Sequence, residues 1–137
     1  MHLTHFTVAY WCVLIAALLP LVCAGIAKAG MFGKPLREGG YDNNNPRAWW
    51  ARQTDWRARA HGAMANSFEA LPFFFVAIVI AHILGAHQAR VDILAFLFVV
   101  LRMMYIMMYV SGMATARTVL WILAFLINIV ILLVGYR

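Results

Sequence analysis

Long apolar stretches alternate with short polar ones along the chain, and the apolar stretches are longer than a soluble core uses. Phe6–Ala27 runs for 22 residues without a charge. Ala70–Ala86 is interrupted only by His82, Ile93–Ala116 only by Arg102, and Thr118–Tyr136 carries no charge at all. Each is near the roughly 20 residues that a helix needs to cross a bilayer. The second stretch is expected to start earlier, near Trp56, because no Pro or Gly cluster blocks a helix from there to Leu71. None shows the apolar-polar alternation of a membrane barrel. The pattern predicts an all-α integral membrane protein, a bundle of four transmembrane helices forming one domain. Expected bounds are about 5–28, 56–85, 90–112 and 116–136, with a polar loop at about 29–55.

Composition agrees. The chain is 65% hydrophobic and 12% charged with a mean hydropathy of +0.81, against about 45–50% and about 25% in ordinary soluble domains. Disorder is excluded, and 9 Gly and 2 Cys exclude collagen-like and disulfide-rich classes. The first stretch could be read as a signal peptide, but Met1–His5 has no Lys or Arg and the apolar run exceeds a usual h-region. Leu21-Val22-Cys23-Ala24-Gly25 resembles a lipoprotein cleavage site only faintly, since a small residue is wanted at Val22. An uncleaved helix is expected. On it Cys12 and Cys23 stand about 16 Å apart, too far for a bridge.

Charge placement suggests orientation. Seven of the 11 Lys/Arg fall between Lys28 and Arg59, one (Arg90) lies between the second and third segments, Arg117 lies between the third and fourth, and Arg137 ends the chain. The positive-inside rule puts the first loop and the Arg117 turn in the cytoplasm and both termini on the other side. Glu38, Asp42 and Asp55 reduce the loop to a net +4, and no nucleic-acid module accompanies it, so no nucleic-acid partner is expected. The loop reads as a topology signal that touches anionic lipid, or as the entrance to an anion site. Trp49, Trp50 and Trp56 suit the headgroup region.

Polar groups inside the apolar segments carry the candidate chemistry. Arg59, Asn66 and Glu69 are spaced by seven and three, and Arg102, Tyr105 and Tyr109 by three and four, so each set shares a helical face. Glu69 and Arg102 lie at similar depths from the loop side. A charge at such depth costs about 2.5–3.5 kcal/mol and normally faces the bundle interior. Two readings follow. Glu69 and Arg102 could form an ion pair that only fixes helix packing. Alternatively, Arg59, Arg102 and Arg117 with the carboxylate, amide and phenols could line a polar pocket for a small zwitterionic or anionic ligand. His61 and His82 have no metal-ligand spacing, so no metal is expected. Met103, Met104, Met107, Met108 and Met113 read as packing residues.

Arg59-x-x-x-Ala63-x-x-Asn66-x-x-Glu69-x-x-Pro72-Phe73, followed by Arg102-x-x-Tyr105-x-x-x-Tyr109 and Arg117-Thr118, resembles the signature of the MAPEG family, membrane-associated proteins in eicosanoid and glutathione metabolism, in a bacterial-type form. The resemblance covers essentially the whole chain. It implies a homotrimer of four-helix subunits in a bacterial inner membrane, with glutathione as co-substrate between neighbouring subunits near the cytoplasmic side and a lipophilic second substrate. Carried over, the glutathione-binding residues are Arg59, Asn66, Glu69, Arg102, Tyr105 and Tyr109, with Lys28 or Lys34 as a basic residue at the end of the first helix. Arg117 and Thr118 are the catalytic residues that activate the thiol. Relatives carry basic residues where Gly62 and Ala65 stand and a glutamate where Ala58 stands, so some contacts are missing here.

The chemistry is intelligible on its own terms. A free thiol near pKa 8.5 is mostly protonated at neutral pH, and a guanidinium beside it favours the nucleophilic thiolate. The expectation is a membrane-bound, glutathione-dependent transferase or peroxidase for lipophilic electrophiles or hydroperoxides. The alternative is a non-catalytic member that binds lipid or a lipophilic ligand. A small proton-coupled exporter fits less well, because Phe6–Ala27 lacks the membrane carboxylate such exporters use.

Overall fold

The computed structural model describes residues 5–136; Met1–Thr4 and Arg137 lie outside the described residues. The order is α1 (Val8–Lys28), a 3₁₀ turn (Leu36–Glu38), α2 (Pro46–Ala51), α3 (Asp55–Ile83), α4 (Gln88–Val110) and α5 (Ala114–Leu133). α1, α3, α4 and α5 are each long and apolar enough to span a bilayer. There is no strand among the described residues, and the chain is an all-α integral membrane protein.

α1 starts at Val8 rather than near residue 5, because the Thr7 hydroxyl accepts from the Tyr10 N–H at 3.3 Å and caps the helix. α3 and α4 end at Ile83 and Val110 because Gly85 (φ +69°) and Gly112 (φ +80°) take the left-handed conformation after them. The Ala86 and Met113 N–H groups then close back onto Ala81 and Met108 carbonyls at 2.9 Å each. A side chain at either glycine would be strained.

α3 and α4 form the centre, with α1 and α5 on the flanks. α1 turns a stripe of mostly small residues inward, Ala9, Cys12, Ala16, Leu19, Cys23 and Ala27, while Trp11, Leu14, Leu18 and Leu21 face outward. Facing it, α3 buries Ala60, Ala63, Ser67, Ala77 and Ala81. Small residues let the two backbones approach closely, which drives packing where lipid offers no hydrophobic penalty. Between α3 and α4 the buried rings of Phe74 and Phe98 stack at 4.1 Å.

At the end away from the loop, polar groups tie three helices. His82 Nε2–H donates to Gln88 Oε1 at 2.8 Å. Gln88 Nε2 donates at 2.7 Å to Asp92 Oδ1, which also accepts the Ala9 N–H at 2.9 Å. Asp92 therefore satisfies one of the orphan donors of α1 and places a negative charge at its positive end. Asp92→Ala is expected to destabilise the bundle by about 1–2 kcal/mol, with the loss concentrated at the start of α1. Denaturant titration with hydrogen exchange at Ala9 and Tyr10 checks this; unchanged protection there would refute it.

The first loop is more structured than the turn-rich sequence suggests. Arg57 Nη1 donates to the Ala27 and Ala29 carbonyls at 2.7 and 2.8 Å, closing the end of α1. Trp49 is 1% exposed, so it does not sit among headgroups as expected. Its indole N–H donates to Gly39 O at 3.1 Å and its ring meets Tyr41 edge-on. Trp56 does stay exposed. The Asn45 side-chain amide, with the backbone N–H groups of Asn44 and Asn45, holds the Asp42 carboxyl below the usual carboxylate value.

Candidate functional site

A cleft of about 440 Å³ opens where α3, α4 and the first turns of α5 meet, on the loop side of the bundle. α3 contributes Gly62, Ala65, Asn66 and Glu69; α4 contributes Tyr105 and Tyr109; α5 contributes Arg117, Thr118 and Trp121. The three- and four-residue spacings in the sequence produce this directly, by stacking each set on one face of its helix.

Two tyrosine rings lie between two guanidinium groups along the α4 wall. The Arg102 guanidinium lies 4.1 Å from the Tyr105 ring, Tyr105 meets Tyr109 edge-on at 5.7 Å, and the Arg117 guanidinium lies 4.3 Å from Tyr109. Cation–π contact orients both arginines without consuming their N–H donors. Arg117 has no carboxylate partner, since the one ion pair among the described residues joins Arg37 and Glu38. Its donors therefore remain for an anion in the cleft. Thr118 Oγ donates to the Ala114 carbonyl at 3.0 Å, so its proton is committed to its own helix and the hydroxyl offers the cleft only an acceptor. Of the two, Arg117 is the group able to stabilise an anion.

Two of the arginines expected in the pocket do other work. Arg59 Nε donates to the Val110 carbonyl at 2.9 Å and its guanidinium lies over Gly112, which fastens the end of α4 to α3. It lines a smaller hollow beside the cleft together with Tyr109 and Arg117. Arg102 is 2% exposed, lies inward of Tyr105 and lines a deeper cavity. The direct Glu69–Arg102 ion pair does not form. Arg102 Nη2 instead donates to Asn66 Oδ1 at 2.9 Å and Ser67 Oγ at 3.3 Å, and Asn66 Nδ2 in turn donates to Glu69 Oε2 at 3.4 Å. The depths matched, but Asn66 stands between the two charges, leaving the Glu69 carboxylate exposed at the cleft. Lys28 lies over the rings of Tyr41 (4.2 Å) and Trp50 (5.4 Å) within the loop and does not line this cleft.

Gly62 has a positive role. A Cβ there would meet the Tyr109 side chain, with its Cζ only 2.8 Å away. The space beside Gly62 is occupied by a phenol from α4. Gly62→Ala is therefore expected to push Tyr109 aside, and with it the Arg117 guanidinium that rests on the ring. Ligand affinity should fall about tenfold while thermal stability changes little, because the phenol end can swing outward. Titration calorimetry beside a melting curve separates the two; unchanged affinity would refute it.

Sequence reasoning passed over Ser67, Trp121 and Asn128. Ser67 and Trp121 gave no usable signal, one being hidden in the small-residue stripe and the other in an apolar run. Asn128 did give one, as an amide in the middle of the otherwise apolar fourth segment.

The family model described as the MAPEG family matches residues 8–136, nearly the whole chain. No curated protein and no solved structure gives a significant match.

Proposed function

This chain belongs to the MAPEG family, and from that premise we propose that it is a glutathione-dependent transferase or peroxidase for lipophilic electrophiles or hydroperoxides. The observation that carries the reading is the uncommitted Arg117 guanidinium, held on Tyr109 in a cleft that also presents Asn66, Glu69 and Tyr105. Glutathione supplies the thiol and, when bound, its thiolate is the nucleophile. Glu69 accepts from the ammonium group, the Asn66 amide pairs with a peptide group, and the tyrosine hydroxyls hydrogen-bond the backbone. Arg117 holds the sulfur in its deprotonated form, and the released proton goes to solvent at the loop side. Exposed apolar residues of α5, Val119, Trp121 and Ile122, stand beside the cleft, so lipophilic substrates approach through the acyl chains.

Charge arithmetic supports an assembly. The tripeptide brings two carboxylates and a thiolate, while the cleft of one chain offers a single cation, Arg117, because Arg59 and Arg102 are committed elsewhere. The exposed Glu69 carboxylate deep in the membrane also needs cover. A neighbouring copy meets both needs by bringing its basic first loop, with Lys28 or Lys34, against the cleft. We read the assembly as a homotrimer in a bacterial inner membrane with the basic loop cytoplasmic.

The test is a glutathione titration of the protein in nanodiscs, followed by ultraviolet thiolate absorbance at neutral pH. Saturable binding with a thiolate signal is expected. Saturable binding of a lipophile without any glutathione binding would overturn the reading in favour of a non-catalytic carrier, a role that the packing duties of Arg59 and Arg102 would suit.

A further inference from the structure

Inward of the cleft, deeper in the bundle, lies a second cavity of about 150 Å³. Phe73, Phe98 and Phe125 form its apolar walls, and Asn66, Glu69 and Trp121 line both it and the cleft, so the two adjoin. Aromatic rings line it side by side: Phe73 and Phe125 are stacked at 5.6 Å, and Trp121 lies nearly parallel to Phe125 at 5.4 Å. A cavity of this size with apolar walls takes a single benzene ring.

One polar group in it is unexplained. Asn128 lines the cavity, is 3% exposed, and its Oδ1 is buried with no hydrogen-bond partner among the described residues. Arg102, Asn66 and Glu69 are already engaged with one another. A buried, unpaired amide is costly and is rarely left without a purpose.

We propose that this cavity seats an aromatic ring bearing a hydroxyl, with the hydroxyl paired to the Asn128 amide. A hydroxyl both donates and accepts, so it pairs with either edge of the amide. The ring's substituent then extends past Trp121 into the cleft beside Arg117. The lipophilic ligand is thereby a hydroxyaryl compound whose reactive centre lies on an arm away from the phenol. That this ligand is the second substrate rests on the glutathione reading above; its binding does not.

The probes are 4′-hydroxychalcone and chalcone, which differ only in the ring hydroxyl. The full chain in nanodiscs is titrated with each by tryptophan fluorescence quenching, without glutathione. The hydroxylated probe should bind about tenfold more tightly. Asn128→Leu should erase the difference, and Asn128→Ser, which keeps a polar partner, should retain part of it. Equal binding of both probes to the wild type, or a preference that survives in Asn128→Leu, overturns the assignment. With glutathione added, the thiolate attacks the enone β-carbon to form the C–S bond, the C=C pair moves toward the carbonyl, and a solvent proton completes the adduct. Preference in binding without adduct formation supports the cavity assignment and counts against the glutathione reading. Adduct formation without preference does the reverse.

Discussion

Arg117→Ala is expected to lower turnover about 100-fold or more at neutral pH while weakening glutathione binding less than about tenfold. On the proposed function, the guanidinium acts on the sulfur, whereas Glu69, Asn66 and the two tyrosines hold the rest of the tripeptide. Without it, the bound thiol returns toward the ordinary value near 8.5. The sign of the pH effect follows. In the wild type the cation favours the charged form, so the thiolate is present well below that value. In the variant it appears only as pH rises through it. The deficit should therefore shrink between pH 7 and pH 9, and the thiolate absorbance at pH 7 should vanish while binding heat persists. An equal loss of affinity and turnover, independent of pH, would make Arg117 a binding residue only. Thr118→Val should have a much smaller effect, because its proton already serves the Ala114 carbonyl.

Arg102→Met is expected to weaken the bundle by about 2 kcal/mol. In a soluble protein, a buried guanidinium without a carboxylate partner would be a liability, and methionine could stabilise the fold. The reference state in a membrane is different. A separated α4 would present Arg102 to lipid, so the bonds to Asn66 and Ser67 and the Tyr105 ring favour association. Glu69→Gln should change stability by less than about 0.5 kcal/mol, since its one contact is a 3.4 Å bond that a glutamine oxygen also accepts. It should cost glutathione affinity instead, about tenfold, through the lost charge on the ammonium. Denaturant unfolding in mixed micelles and a ligand titration on both variants separate the roles. Equal destabilisation by the two would mean that the pair acts as one packing unit.

Membrane class, the four spans and the main site-bearing faces were legible in the sequence. Runs of about 20 apolar residues have one stable solution in lipid, because only a helix satisfies its own backbone there. A charge inside such a run is so costly that its presence marks the bundle interior, which is why Arg102 could be singled out, with Tyr105 and Tyr109 on the same helical face. The helix ends depended on Thr7, Gly85 and Gly112, residues whose capping role local sequence only hints at.

What the sequence could not determine was which polar group each arginine would face. Helical periodicity fixes the direction of a side chain around its axis but not its partner across the gap. Arg59 turned to the end of α4, Arg102 to Asn66 and Ser67, and only Arg117 was left free. Gly62, read along the chain as a lost contact, became the room that Tyr109 needs. Asn128 acquired meaning only when α3, α4 and α5 closed a cavity around it. Composition and spacing determined the helices and their polar faces, because lipid constrains each helix by itself. The commitments of the individual side chains were decided by tertiary packing, where a shift of a few ångströms between helices selects one hydrogen-bond partner over another.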